Sequence, residues 1–141
     1  MYSSMLAPAA VLVTWSLVIL VWMAATRLPA LAKLKMPPEK SRGGRGADLD
    51  GVLPAEIQWK AHNYNHLMEQ PTIFYALVVI LALAGYAQVD VWLAWAYVAL
   101  RIVHSLWQAV VNTLPVRITL FTLSSLVLMA MAVRALMVTL V

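Results

Sequence analysis

Four long apolar runs dominate the hydrophobic pattern of the chain, and its polar residues are concentrated between them. The runs cover about residues 5–26, 57–84, 91–112 and 117–138. The first contains 22 consecutive residues without a charge, and about 20 apolar residues are enough for a helix to cross a bilayer. The pattern therefore predicts an all-α membrane protein, with four transmembrane helices in one bundle domain over residues 1–141.

Composition agrees with a membrane protein. The chain is 63% hydrophobic and 11% charged, whereas soluble domains have about 25% charged residues. It has no cysteine, which excludes disulfides, thiolate nucleophiles and thiolate metal ligands. Seven of the ten Lys and Arg residues lie between Arg27 and Lys60, a distribution that indicates membrane topology rather than nucleic-acid binding.

The segment 28–56 is predicted to be a polar loop, because prolines punctuate it and residues 42–46 read Arg-Gly-Gly-Arg-Gly. Basic loops are retained on the cytoplasmic side of a membrane. We therefore expect loops 28–56 and 113–116 to face the cytoplasm, with both termini on the opposite side.

A polar cluster occupies the first half of the second run and leads directly into its apolar half. His62, His66 and Glu69 are spaced i, i+4, i+7 and would share one face of a helix. Polar groups at the edge of the hydrocarbon indicate a functional site. Two imidazoles and a carboxylate, with His104, could ligate a metal, or they could form a polar face at the membrane surface; we predict no metal site. Pro71 predicts a kink in this helix or a local loss of one hydrogen bond.

The third span carries Arg101 and His104 on one face, with Arg101 near the middle of the membrane. An unpaired guanidinium at that depth is very unfavourable, so it needs a polar partner. Glu69 is the acid bordering the neighbouring span. We therefore predict that the second and third helices touch, with Glu69 facing Arg101 or His104.

Arg117 begins the fourth span, where free backbone amides and the helix dipole also favour an anion. Taken with the residues above, it suggests a pocket for a small zwitterionic peptide that has carboxylates. An internal ion-pair network that merely locks the helices together is the alternative. The candidate set is Asn65, Glu69, Arg101, His104 and Arg117.

Three short motifs, in this order and spacing, resemble those of the MAPEG family, the membrane-associated proteins in eicosanoid and glutathione metabolism. The resemblance extends from Ile57 to Arg134 and is strongest to a bacterial subset of the family. The motifs are Ala61-His62 followed by Asn65-x-x-x-Glu69-x-Pro71, then Leu100-Arg101-Ile102-Val103-His104-Ser105, then Pro115-Val116-Arg117.

The resemblance implies a homotrimer that binds glutathione, as a cosubstrate, between neighbouring subunits near the cytoplasmic face. By motif, Glu69 would hold the glutathione amine, and either Asn65 or His66 would match a family asparagine. Arg101 and His104 would match the family's Arg-x-x-His and complete the binding set. Arg117 would be the catalytic residue, stabilising the glutathione thiolate.

Three positions depart from the catalytically active relatives, which place tyrosine, serine and tyrosine where this chain has Gln108, Ile118 and Phe121.

The function expected from the resemblance is a glutathione-dependent transferase or peroxidase acting on lipophilic electrophiles. The alternative is a non-catalytic trimeric scaffold or a lipid- or thiol-binding protein. Expected partners are further copies of the chain, membrane lipids, glutathione and a small lipophilic substrate, but no nucleic acid. The expected location is a bacterial inner membrane, with both termini periplasmic.

Overall fold

The computed structural model describes residues 3–141, which form helices and connecting turns without a strand. Four spans are long and apolar enough to cross a membrane: Ser4–Lys33, Ala55–Ala84, Gln88–Val110 and Leu114–Thr139. The prediction of an all-α bundle with four membrane helices is therefore confirmed. The helices are α1 (Ser3–Lys33), α2 (Pro38–Ser41), α3 (Ala55–Leu67), α4 (Pro71–Ala84), α5 (Gln88–Val110) and α6 (Leu114–Thr139), with a short 3-10 helix at Gly46–Leu49.

The first helix continues to Lys33, beyond the predicted end of the span near Thr26. Residues 30–33 read Ala-Leu-Ala-Lys, which are strong helix formers, and Pro29 removes a single backbone donor without ending the helix. The loop that follows is correspondingly shorter than predicted and contains α2 and the 3-10 helix. Arg27 fastens this loop to α1 by donating from Nη2 to the Gly46 carbonyl over 2.6 Å.

The second span is interrupted just before Pro71, where the Glu69 and Ile73 amides donate to carbonyls three residues back instead of four. Its first half, α3, ends at Leu67, and residues 68–70 form a turn before α4 begins at Pro71. Proline suits the first position of a helix because its missing N–H would be unpaired there anyway. Gln70 connects this turn to α6 and α5 by hydrogen bonds. Its Nε2 donates to Ser125 Oγ on α6 (2.8 Å), and its Oε1 accepts from the Tyr97 hydroxyl on α5 (3.1 Å).

The bundle centres on α5, which packs against α1, α3 and α6, while α4 packs against α1 and α6. On α1, a seven-residue spacing places Met5, Leu12 and Ile19 in the core, as expected for one face of a helix. Phe74 stacks on Tyr97 with ring centroids 4.6 Å apart. Many large apolar side chains are exposed along the spans, which suits a bundle surrounded by lipid.

The end of α5 that is near the α4–α5 turn carries an ion pair. Asp90, which is fully buried, receives 2.8 and 3.1 Å hydrogen bonds from Arg134 on α6. Its Oδ2 also accepts from the Ala87 amide (2.8 Å) and so caps α5. This pair joins α5 to α6 at the end opposite the polar cluster.

Candidate functional site

The centre of the site is Arg101, whose residue surface is completely buried. Its Nη2 donates to His66 Nδ1 over 2.8 Å and to the His66 carbonyl over 3.3 Å. A guanidinium only donates, so Nδ1 must accept, and the proton of the neutral ring lies on Nε2. Arg101 Nε and Nη1 are buried and have no hydrogen-bond partner. As predicted, the second and third spans touch and Arg101 faces the bundle.

Aromatic rings enclose the polar partner of Arg101. The His66 ring stacks on His104 with centroids 4.9 Å apart. Phe121 on α6 meets His66 edge-on at 5.5 Å and lies 6.5 Å from His104. Phe121 therefore offers an apolar ring at this place, where the family resemblance implies a tyrosine hydroxyl in catalytically active relatives. We call these four residues the Arg101 cluster.

Arg117 lies beside the cluster, near enough to both imidazoles for through-space electrostatic interaction. Its Nη1 donates to Asn112 Oδ1 over 2.8 Å, while its Nε is buried and unpartnered. Asn112 has a positive φ of 58°, and its amide donates to the Trp107 carbonyl (2.7 Å) just beyond the end of α5. Asparagine tolerates this left-handed conformation better than most residues. Sequence reasoning missed Asn112, although an asparagine at a helix end just before Thr-Leu-Pro was the available signal.

Glu69 does not make the contact predicted for it. It forms no ion pair with Arg101 or His104; it interacts with Arg101 only through space, and its side chain is exposed. The helical spacing fails because α3 ends at Leu67, so Glu69 lies in the turn and leaves the face that holds His66. Asn65 is also exposed, so it is His66 that enters the cluster.

His62 has a different partner from the other two histidines. Its Nε2 lies 2.9 Å from Asp50 Oδ1, which also accepts from Gln58 Nε2 over 2.7 Å. These hydrogen bonds, first from Gln58 and then from His62, lower the pKa of the Asp50 carboxyl. Across residues 3–141, no group of three His, Asp or Glu side chains lies close enough to hold a metal ion.

A sequence profile of the MAPEG family matches residues 5–137, nearly the whole chain. The chain belongs to the MAPEG family. No individual curated protein and no solved structure matches it. Family membership and the four apolar spans support an integral membrane protein whose function is related to glutathione at the level of the family.

In this MAPEG chain, the positive charges of Arg101 and Arg117 lie close together and neither is paired with a carboxylate. In the part of the chain that the structure describes, the ion pairs are His62–Asp50 and Arg134–Asp90. Neither involves Arg101 or Arg117, each of which has buried N–H groups without acceptors. Because a buried charge is stable only when paired or hydrogen-bonded, the chemistry of the site favours an anion.

Proposed function

We propose that the protein binds glutathione beside the Arg101 cluster and promotes attack of its thiolate on lipophilic electrophiles, as a transferase or a peroxidase. The observation that carries the proposal is the set of unpaired guanidinium nitrogens: Nε and Nη1 of Arg101 and Nε of Arg117. Each buried unpaired donor costs about 1–3 kcal/mol. Glutathione has two carboxylates and a thiolate, one of which could approach half-buried Arg117, while the buried charge of Arg101 adds positive potential.

Arg117 is the residue proposed to act on sulfur. It is half-buried at the start of α6, and Asn112 fixes one of its nitrogens, which leaves Nε unused. A guanidinium in a poorly solvated place favours a thiolate over a thiol. Arg101 is too deeply buried to touch a ligand without movement, so its proposed role is to orient His66 and supply positive potential.

Glu69 and Asn65 are proposed to hold the amine and amide groups of the tripeptide. Both are exposed on the single chain, which leaves them free for a ligand or a neighbouring subunit. Their exposure supports the proposed homotrimer, in which a second copy would close the site. The proposed location remains a bacterial inner membrane, with loops 28–56 and 113–116 in the cytoplasm and both termini periplasmic.

The chemistry needs only the thiolate and a substrate. In conjugate addition, a sulfur–carbon bond forms and the resulting carbanion takes a proton from water. In peroxide reduction, two glutathione molecules and a lipid hydroperoxide give glutathione disulfide, the alcohol and water. The membrane concentrates the apolar substrate, and the rate gain would come from proximity and from thiolate stabilisation.

The test is a titration of the purified protein with glutathione, following the ultraviolet absorbance of the thiolate. We expect the thiolate absorbance to appear with the parent protein and to be lost in Arg117→Ala. In turnover of a lipophilic electrophile, we expect the kcat of the same variant to fall about a hundredfold. Arg42→Ala is the control, because it removes an exposed arginine from the loop after α1, away from the Arg101 cluster. No thiolate signal and no heat on titration of the parent protein would overturn the proposal.

A thiol-binding protein without turnover is the second candidate. It is favoured by Phe121, whose ring occupies space beside both histidines, and by Gln108, whose buried Oε1 has no partner. Neither supplies the hydroxyl that active relatives have at these positions. A thiolate signal without consumption of electrophile or hydroperoxide would support this candidate over the first.

A further inference from the structure

A large cavity lies away from the Arg101 cluster, between the last turns of α1 and the loop that follows it. Its volume is about 790 Å³, within the range of about 300–1,000 Å³ typical of small-molecule sites. No residue of the Arg101 cluster lines it, nor does Arg117. Its walls are largely apolar and include Met23, Leu28, Leu31, Met36, Leu49 and Val52.

The same cavity has a cationic rim, formed by Lys35, Lys40 and Arg45. Its one acidic lining residue, Asp48, uses Oδ2 to accept from the Arg45 backbone amide over 2.7 Å. Among residues 3–141 no ion pair involves any of the three cationic side chains. The cavity therefore combines apolar walls with positive charges that lack a counter-ion.

The position of the cavity fits an interfacial ligand. It adjoins Arg27, which follows the uncharged part of the first span, and the basic loop. This is where a membrane helix passes from hydrocarbon to headgroups, and where basic residues attract anionic lipids. A ligand there can keep an apolar chain against the walls while its head remains at the rim.

We propose that this cavity binds an amphiphile with one long apolar chain and an anionic head, a carboxylate or a phosphate. The chain lies between α1 and the loop, against Leu31 and Val52, and the head meets Lys35, Lys40 and Arg45. The site is separate from the glutathione site and does not depend on it.

The test uses the full-length protein in nanodiscs of zwitterionic phosphatidylcholine, with a fatty acid that carries a photoreactive diazirine on its chain. After irradiation, mass spectrometry locates the crosslinked residues. We expect crosslinks within residues 23–36 and 49–52, several times stronger with the acid than with its uncharged methyl ester. Unlabelled oleate and lysophosphatidic acid should compete, whereas millimolar inorganic phosphate should not.

Variants separate the two halves of the site. Lys35→Gln with Lys40→Gln should reduce crosslinking by the acid about three- to tenfold, since each exposed ionic contact contributes up to about 1 kcal/mol. Lys33→Gln with Arg42→Gln, which also removes two positive charges but from residues outside the cavity lining, is the charge-matched control. Ala24→Trp should fill the cavity and reduce crosslinking by acid and ester alike. Crosslinks at Leu83, 77% exposed on α4, should stay unchanged in every variant and report ordinary lipid contact.

Three results would overturn the proposal. The first is equal crosslinking by acid and ester. The second is unchanged crosslinking in the double lysine variant or in Ala24→Trp while the control at Leu83 is intact. The third is displacement of the probe by inorganic phosphate, which would show an anion site without an apolar requirement.

Discussion

Arg101 on α5 and His66 on α3 are joined by a 2.8 Å hydrogen bond between Nη2 and Nδ1. The buried guanidinium thus has a neutral ring as its side-chain partner instead of a carboxylate. The hydrogen bond satisfies one of its nitrogens but does not cancel its charge. The residual positive potential is what makes this part of the membrane bundle suitable for an anion.

Removing this partner should destabilise the fold. His66→Ala leaves Arg101 Nη2 with only the longer contact to the His66 carbonyl, and a hydrogen bond to a charged group is worth about 1.5–3 kcal/mol. We expect a loss of that size in the free energy of unfolding, measured by denaturant titration in detergent. His66→Gln, which keeps an acceptor, should recover part of it. An equal loss in the control Asn65→Ala, at the exposed neighbouring position, would contradict this account.

Gln70 should stabilise the broken second span. Gln70→Ala removes the hydrogen bonds to Ser125 and Tyr97, each worth about 1 kcal/mol. The expected result is a fall of about 2 kcal/mol in the free energy of unfolding. Gln88→Ala, at an exposed position at the start of α5, should change it by less than about 0.5 kcal/mol. If the two variants unfold alike, the bridge has no stabilising role.

The buried Asp90 makes Arg134 a structural residue. Arg134→Gln removes two hydrogen bonds from a carboxylate that has no water contact, and we expect a loss of about 2–3 kcal/mol. Arg134→Lys should lose less, because an ammonium keeps the charge but not the two-point geometry. Thermal unfolding in detergent measures both. A lysine variant as unstable as the glutamine variant would show that charge is unimportant here.

Acid should loosen the loop that Asp50 holds. The folded-state pKa of Asp50 lies below its ordinary value of 3.8, so the stabilisation is present above that value and is lost as the pH falls through the folded pKa. Hydrogen exchange in residues 46–58, corrected for intrinsic rates, should accelerate below about pH 3.8. Asp50→Asn should show faster exchange already at pH 5. An unchanged pattern in that variant would argue against an anchoring role for the carboxylate.

The sequence was sufficient to predict the four spans and the inward position of Arg101, because both follow from the cost of placing polar groups in hydrocarbon. The sequence did not predict the partner of Arg101 correctly. The prediction placed His66 and Glu69 on one face by assuming one continuous helix, whereas the chain leaves the helix after Leu67. Residues in the turn that precedes a helix-starting proline do not follow the helical spacing, and their positions depend on tertiary contacts such as those of Gln70.

Arg117 illustrates a second limit of sequence reasoning. Its position at the start of the fourth span was visible, but its hydrogen bond to Asn112 depends on a left-handed residue between two helices. Such a conformation is local and depends on how α5 ends, so residue spacing alone does not reveal it. The same is true of the ring contacts of Phe121, which require the crossing of α6 over α3 and α5.

The turn between α3 and α4 divides one membrane span into two segments, one that carries polar site residues and one that packs through apolar side chains. The α4 segment is apolar, and its buried side chains, such as Phe74 and Leu81, contribute to the bundle core. The α3 segment holds the polar geometry, where a single altered side chain changes the chemistry. Because the turn separates the two, the α4 half can shift in its packing against α1 and α6 without imposing the same shift on the helical register of α3.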